Sequence, residues 1–428
     1  MVEIAVKLPD GSELSVAEGA TVRDVAAAIG ARLAQAAIAG KLDGTLVDLG
    51  HVVNAGQTVE IVTDRSPEAL HILRHSAAHV MAEAVKQLHP MAKFGIGPAI
   101  EDGFYYDFEV GRPFTPEDVE AIQERMRQII SESLPFTRGE LDRLEAHDAF
   151  EEQPLKQELI SELPEDEVIS VYTQGTFTDL CRGPHVPDTS WVKAFKLTKV
   201  AGAYWRGDSD RPMLQRIYGT AWFSDKDLAA YLTRIEEAEK RDHRKLGREL
   251  DLFSFHSEAG AGLVFYHPKG ARVLRLLQDW ERAEHYRRGY AEIITPHIFK
   301  ADIWKTSGHY DFYRENMYFF EIDEGEGQPP VEYGVKPMNC PGAVMVYAND
   351  VRSYRDLPMR LLELGTVYRH EKSGVVHGLM RARGFTQDDA HIFCTAEQVK
   401  PEVAGVLDFV DWAMSAFGFS YTAEVSTR

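Results

Sequence analysis

The segment EALHILRHSAAHVMAEAVKQLHP, residues 68–90, decides how the first half of this chain is read. Its apolar residues Leu73, Ala77, Val80 and Ala84 recur at helical spacing, and Pro90 supplies a stop because its ring cannot continue a helix. The period predicts a helix that begins near residue 69 with these four residues as its apolar stripe. His71, His75 and His79 fall every four residues along it and therefore share one face. The same spacing returns in VYTQGTFTDLCRGPHVPD, residues 171–188, where Cys181 precedes His185. Two such pairs admit three uses. They can pack a core, close a tetrahedral zinc site, or do acid–base work through imidazoles that titrate near neutrality, with Cys181 as a positioning group. Packing is the commonest use of this spacing taken alone.

Upstream, VEIAVKLP and SELSV read as strands joined at Asp10-Gly11, followed by a helix from Thr21, a turn at Asp43-Gly44 and a closing strand QTVEIVT. Thr21 is placed to cap the helix with Asp24 at its third position, and Gly30 to end it. That order is the pattern of a ubiquitin-like β-grasp domain. Residues 1–63 carry no catalytic signature and read as an interaction or positioning module. Between the two His-bearing segments, GIGPAIEDGFYYDFEV, residues 95–110, belongs to a mixed α+β region that runs to about residue 224. After it, DKDLAAYLTRIEEAEKRDHRKLGREL puts Leu228, Tyr231, Ile235 and Ala238 on one stripe of an otherwise charged helix, which suits a connector. From about residue 243 helices and strands alternate anew, and FSYTAEVSTR, residues 419–428, has the composition of a strand.

A chain of 428 residues exceeds one ordinary domain and fits about three. With 44% hydrophobic and 27% charged residues, disordered and fibrous classes are excluded. The N-terminus has no basic and apolar leader, and no apolar run approaches the roughly 20 residues that span a bilayer, so a cytoplasmic location is expected and no membrane partner. Three widely spaced cysteines, Cys181, Cys340 and Cys394, do not make a disulfide framework. The net charge of −20 confines any nucleic-acid surface to local basic runs. The candidates are Arg241, His243, Arg244, Lys245 and Arg248, and the helix around Arg282, Arg287 and Arg288, although a solvated helix face is the commoner meaning of either run.

Three segments, HSAAHVMAEAVKQLHP, IGPAIEDGFYYDF and GTFTDLCRGPHV, together resemble the proofreading domain of threonyl-tRNA synthetases. The resemblance implies hydrolysis of mischarged seryl-tRNA(Thr) in a pocket lined by His75, His79, Cys181 and His185, with Tyr106, Asp179 and Lys156 as further pocket residues. Alanine-type relatives hold zinc with a similar quartet. The bacterial threonine-type domain works through water without metal, and that is the expectation here.

The second half carries GYAEIITP, Gly289 to Pro296, which resembles the first signature motif of class II synthetases, a helix and strand at a dimer interface. RLLELGTVYRHEKSGVVHGLMRARGFTQDDAHIF, residues 360–393, reads as a long antiparallel hairpin and resembles the second motif. Planar guanidinium groups suit phosphoryl and adenylyl positioning. The resemblance implies that Arg369 holds the α-phosphate and substrate carboxylate, that Glu371 accepts from the adenine amino group, and that Arg381 reaches the γ-phosphate. Cys340 in KPMNCPG and His391 in QDDAHIF would by default be a buried thiol and a core imidazole. The segments resemble the threonine enzyme, which implies that both ligate one substrate-binding Zn²⁺ with a third His further along, that Gln387 and Asp389 contact the amino acid, and that Met338 walls its pocket. Ligating the hydroxyl rejects valine, whereas serine lacks only a methyl, a difference worth roughly 1 to 3 kcal/mol, so serine has to be removed by hydrolysis afterwards.

The expected architecture is an α+β multidomain chain. It comprises a β-grasp domain at 1–63, an α+β editing domain at 64–224, a linker helix at 225–242, and at 243–428 a class II antiparallel-sheet catalytic domain that stops before the third motif. The partners this implies are tRNA(Thr), threonine, ATP with Mg²⁺, and a second subunit in a homodimer of the longer enzyme. A free-standing seryl-tRNA(Thr) hydrolase is the alternative, since it would need only the His and Cys constellation.

Overall fold

The computed structural model describes residues 2–426 except 166, 209, 326 and 328, so positions 427 and 428 of the expected catalytic segment and strand lie outside the described residues. The chain divides into two compact units, Met1–Glu236 and Glu237–Arg428.

The first unit opens with the antiparallel pair β1 (Glu3–Lys7) and β2 (Glu13–Ala17). Helix α1 (Val22–Ile29) starts at Thr21, whose hydroxyl accepts from the Asp24 N–H at 3.3 Å while the Asp24 carboxylate accepts from the Thr21 N–H at 2.8 Å. This reciprocal pair satisfies two amides that the first helical turn leaves free. The expected single helix is followed by a second, α2 (Ala31–Ala36), beyond Gly30. Strands β3 (Ala37–Leu42), β4 (Thr45–Val47) and β5 (Val59–Thr63) form a sheet in the order β4-β3-β5, and a parallel bridge from Lys7 to Thr58 brings β1 alongside β5. Val6, Val22, Val25 and Val59 fill its core, as a β-grasp requires.

Helix α3 (Ala69–Leu88) follows, and here the sequence expectation needs correction. The predicted single stripe is too narrow: every residue from Ile72 to Val85 except His75 is buried. Strands β6 (Lys93–Phe94), β7 (Ala99–Ile100) and β8 (Gly103–Glu109) come next, then α4 (Pro116–Ser131). Strand β9 (Thr137–Leu141), helices α5 (Arg143–Ala149) and α6 (Pro154–Glu162), and strands β10 (Ile169–Gln174), β11 (Phe177–Leu180), β12 (Ala194–Tyr204) and β13 (Met213–Trp222) complete the region. One sheet runs β12-β13-β8-β6 with β7 paired to β8, and a second runs β11-β10-β9. Leu73, Ala77, Val80 and Met81 of α3 share one core with Phe104 and Phe108 of β8, Ile122 and Met126 of α4, and Ile38, Ala39 and Val62 of the β-grasp strands. Covered from several directions, α3 has almost no face left for solvent. Helix α7 (Asp225–Lys240) has no buried residue, as a charged connector should not.

The second unit contains α8 (His243–Glu249), the pair β14 (Phe253–Phe255) and β15 (Val264–Tyr266), and α9 (Pro268–Arg287). Strand β16 (Ala291–Glu292) follows, then β17 (Ile298–Lys300), α10 (Ala301–Thr306), α11 (His309–Tyr313), β18 (Phe319–Ile322) and β19 (Val331–Val335). Helix α12 (Cys340–Ala348) precedes β20 (Met359–Tyr368) and β21 (Gly384–Phe393), and α13 (Val399–Ala416) comes last. The expected hairpin is present as β20 and β21, antiparallel from Met359↔Phe393 to Tyr368↔Gly384, with β16 parallel to β20 on its other edge. Residues 419–426 are not a strand, because none of the described residues pairs with them and a strand exists only through a neighbour's hydrogen bonds. Among the described residues no helix is long and apolar enough to cross a membrane.

Leu73→Ala deletes a side chain with no exposed surface and is expected to cost about 2–5 kcal/mol in denaturant unfolding of the first unit. Ile235→Ala, on the connector and 37% exposed, should cost less than about 1 kcal/mol, and equal losses for the two would contradict the central placement of α3.

Candidate active sites

The rigid interior of α3 fixes His75 and His79, and the turn after β11 brings Cys181 and His185 to them. The Cys181 N–H donates to the Ser170 carbonyl at 3.1 Å, and the Ser170 hydroxyl donates back to the Cys181 carbonyl at 2.6 Å, which pins the start of that turn. Cys181 Sγ then lies 3.3 Å from Nε2 of both His75 and His185. Ligand atoms of all four residues fall within 4.8 Å of one another, so the sequence-predicted quartet converges.

Donors and acceptors can be counted around it. The Ser76 hydroxyl donates its single proton to the Ile72 carbonyl at 2.9 Å, so toward His185 Nδ1, 3.0 Å away, it can only accept. In the tautomer this matches, His185 carries its proton on Nδ1 and turns the Nε2 lone pair to Cys181. Nε2 of His75 faces the same sulfur at 3.3 Å, and with its own proton on Nδ1 it too presents a lone pair. In that arrangement two lone pairs face the one S–H of Cys181, and one of them is left to accept a proton from something else. His79 adds a buried Nδ1 without a hydrogen-bond partner.

Burial, reinforced by neighbouring His79 and His71, lowers His75 to about 3, and burial likewise lowers His79 to about 4 and His185 well below the usual imidazole range. Burial pushes the Cys181 thiol up to about 12. At neutral pH the quartet is uncharged. Beside it, Lys156 Nζ pairs with Asp179 Oδ1 at 2.5 Å, and the Tyr106 hydroxyl donates to Asp179 Oδ2 at 2.6 Å. Burial would raise Asp179, yet Lys156, His79 and Tyr106 together outweigh it and hold the carboxyl low. Burial raises Tyr106 well above the usual phenol value and keeps it a donor. The three further residues expected in the pocket are thus assembled as one network, with His79 Nε2 at 3.9 Å from Asp179.

Sequence reasoning missed Ser76, Phe136, Tyr172 and Asp48. Phe136 stacks on His185 at 4.7 Å and Tyr172 meets its edge at 4.6 Å. Ser76 was findable, lying one residue after His75 in the motif. Asp48 is remote in sequence and carries no local signal.

In the second unit a cavity of about 710 Å³ is lined by Arg369, Glu371 and Arg381 with Phe385, Tyr266 and Leu263. Arg369 is aimed by Nε donating to the Pro337 carbonyl at 3.2 Å, with its guanidinium 5.2 Å from the Phe385 ring. Glu371 and Arg381 pair with each other at 2.9 Å. Gln387, Asp389 and His391 alternate along β21 and so share one face. Asn339, just before α12, sits over that face with Nδ2 at 3.0 Å from Asp389 and 3.5 Å from Gln387. Gly365, opposite Gln387, has to lack a side chain because a Cβ there would stand 2.3 Å from Asn339. Met338 Sδ contacts His309 Nε2 at 3.2 Å. Cys340 opens α12, half-buried, its thiol raised by burial and by the nearby Asp389. A thiol and an imidazole of this kind are a donor set that zinc accepts.

A further group, Glu281, His285 and Asp388, also has ligand atoms within 4.8 Å of one another. Burial first, then Asp388, raises Glu281 to about 7, and His285 Nε2 lies 3.3 Å from Asp388 Oδ1. In the second basic run Arg282 bonds Glu292 and Asp279, and Arg287 and Arg288 both bond Glu284; in the first, Arg241 bonds Glu237 and Arg244 bonds Asp242.

Similarity to known proteins assigns the class first. The TGS domain family matches residues 4–63, the threonyl and alanyl tRNA synthetase second additional domain matches 169–218, and the class II tRNA synthetase core domain (G, H, P, S and T) matches 318–427. Among curated proteins, the threonine–tRNA ligase of Citrifermentans bemidjiense is 59% identical over the whole of this chain and 66% of that protein. That of Syntrophotalea carbinolica is 53% identical over the whole chain and 67% of that protein. A solved RNA-binding domain of threonyl-tRNA synthetase from Cryptosporidium parvum Iowa II is 48% identical over 42% of this chain and 44% of that one, with a TM-score of 0.40. The chain belongs to the threonine–tRNA ligase family, and it spans about two thirds of the length of the curated relatives it matches.

The neutral quartet sets the pH range of stability. His75, His79 and His185 bind protons more weakly folded than unfolded, so unfolding takes up protons below the usual imidazole value of 6.5 and stability falls as pH falls from there. Cys181 holds its proton more tightly folded, so stability falls again as pH rises above the usual thiol value of 9.0. The unfolding midpoint of the first unit should therefore be highest between these two values. His75→Gln should flatten the acid limb, and an unchanged acid limb in that variant would contradict the assignment.

Proposed function

We propose that this chain serves ATP-dependent attachment of threonine to tRNA(Thr), with a separate pocket that hydrolyses seryl-tRNA(Thr), in the cytoplasm and, for the longer enzyme, as a homodimer. The domain limits that go with this reading are 1–63, 64–224, 225–242 and 243–428. The observation that carries it is the convergence of His75 Nε2 and His185 Nε2 on Cys181 Sγ, each at 3.3 Å, since uncharged imidazoles gathered there offer a proton acceptor in the pocket.

In hydrolysis, a water oxygen adds to the ester carbonyl carbon while His75 Nε2, free when the Cys181 proton sits on the His185 side, accepts the water proton. The carbon–oxygen bond to the ribose then breaks, and the proton passes to the departing ribose hydroxyl, giving serine and free tRNA. His79 offers a second acceptor, and Cys181 and His185 hold the water in line. The Lys156–Asp179–Tyr106 network supplies donors at the other wall. Threonine escapes because its extra methyl displaces the water.

In the second unit Arg369 would hold the α-phosphate and the threonine carboxylate, a bidentate task suited to guanidinium. ATP with Mg²⁺ would part Glu371 from Arg381, freeing the first for the adenine amino group and the second for the γ-phosphate. Gln387, Asp389 and Met338 would line the threonine pocket. Cys340 and His391 would hold one Zn²⁺, and a metal there would supply a ligand position for the substrate hydroxyl that valine lacks.

His75→Ala should slow single-turnover hydrolysis of seryl-tRNA(Thr) by about 10²- to 10⁴-fold and leave the fold intact. Wild-type chain that spares seryl-tRNA(Thr), or cleaves threonyl-tRNA(Thr) equally fast, sinks the hydrolytic reading. Zinc titration separates the two sites: binding should be weakened by Cys340→Ser and untouched by Cys181→Ser, and the opposite pattern would place the metal in the quartet.

A further inference from the structure

Three backbone N–H groups of the turn from Cys181 to Val186 are held by side chains. Gly183 N–H donates to Cys181 Sγ at 3.2 Å, Val186 N–H to the Ser76 hydroxyl at 3.0 Å, and His185 N–H to Asp48 Oδ1 at 3.0 Å. Pro184 has no N–H to place. Two of these three acceptors belong to the pocket. The third comes from the loop after β4, in the β-grasp segment, 137 residues away in sequence. The other carboxylate oxygen of Asp48 accepts from the Tyr172 hydroxyl. That hydroxyl fills the space beside Gly183, where a Cβ would stand 1.9 Å from it and where φ is +70°. The Tyr172 ring in turn meets the edge of His185, whose face is closed by Phe136. One carboxylate thus holds the turn directly at His185 and indirectly through the Tyr172 hydroxyl packed against Gly183.

We infer that Asp48 is a positioning residue of the hydrolytic pocket, and that the β-grasp segment is thereby a structural part of that site rather than an independent appendage. Without the carboxylate, the His185 N–H and the Tyr172 hydroxyl lose their acceptor, and the buried turn has to move to find others. Such movement displaces Cys181 Sγ and His185 Nε2 together, and with them the water they orient. A shift of about 1 Å in a reacting group can cost on the order of 10²-fold in rate. The loss falls on the chemical step, because Asp48 touches no substrate. The assignment rests on the proposed hydrolysis only for its kinetic part, since the turn geometry stands by itself.

The test uses the whole chain with Asp48→Ala, Asp48→Asn and, as a control for general loosening of the β-grasp core, Val59→Ala, a buried position away from the pocket. Asp48→Ala should lower single-turnover kcat on seryl-tRNA(Thr) by about 10- to 100-fold with little change in KM. Asp48→Asn should recover most of the rate, because its carbonyl still accepts from His185 and its amide can donate to the Tyr172 oxygen. Alkylation of Cys181 by iodoacetamide, followed by mass spectrometry of its peptide, gives a second reading that needs no substrate: Asp48→Ala should speed it at least several-fold and Val59→Ala should not. Wild-type turnover together with a protected Cys181 in Asp48→Ala would overturn the inference. So would equal losses in Val59→Ala. If the wild-type chain itself leaves seryl-tRNA(Thr) intact, the hydrolytic reading fails while the alkylation comparison still decides the role of Asp48.

Discussion

Burial of α3 on nearly every side governs the first unit. A helix with so little solvent face cannot carry charge cheaply, so His75 and His79 on it are held neutral, and the residues brought against them have to be neutral or already paired. Lys156 and Asp179 enter only as a pair, with Tyr106 donating to the carboxylate. The same burial makes proton counting decisive. The Ser76 hydroxyl, which donates to the Ile72 carbonyl, stands 3.0 Å from His185 Nδ1 and favours a proton on that nitrogen.

The second unit rests on a different constraint, the register of β20 and β21. Ten residue pairs in unbroken antiparallel order put Gln387, Asp389 and His391 on one face and leave Arg369 and Arg383 at the mouth of the hairpin, joined by the Arg369 N–H to the Arg383 carbonyl. A slip of one residue would turn the whole set away. On that same face Glu363, opposite Asp389, is buried together with Lys336 and Thr295, and Lys336 Nζ lies 2.9 Å from Glu363 and 3.1 Å from Thr295. The triad ties the segment before α12 to β20 and to the turn after β16. It also explains why an ion pair can persist there, since Glu363 accepts from the Thr295 amide as well.

Charge bears on how a strongly acidic chain meets an anionic partner. Arg282, Arg287 and Arg288 at the end of α9 are engaged by neighbouring carboxylates, as is Arg244 of α8, so their positive field is spent locally. A nucleic-acid strand would have to compete with Glu284 and Glu292 for those guanidinium groups.

Much of this was legible in the sequence because it is local. Thr21 with Asp24, the four-residue spacings of His75 with His79 and of Cys181 with His185, and the long hairpin all follow from rules that act over a few residues. The apolar stripe on α3 was read too narrowly for the same reason: periodicity reports one buried face, whereas the β-grasp strands, a sheet and α4 cover several. Asn339 above β21 and the pairing of Glu371 with Arg381 depend on where a turn folds back, and composition does not encode that. The sequence by itself determined which side chains could do chemistry and which elements would carry them. Only the tertiary structure decided that Asp48 closes the turn at His185, because a carboxylate 137 residues away is chosen by three-dimensional packing and leaves no periodic trace in the chain.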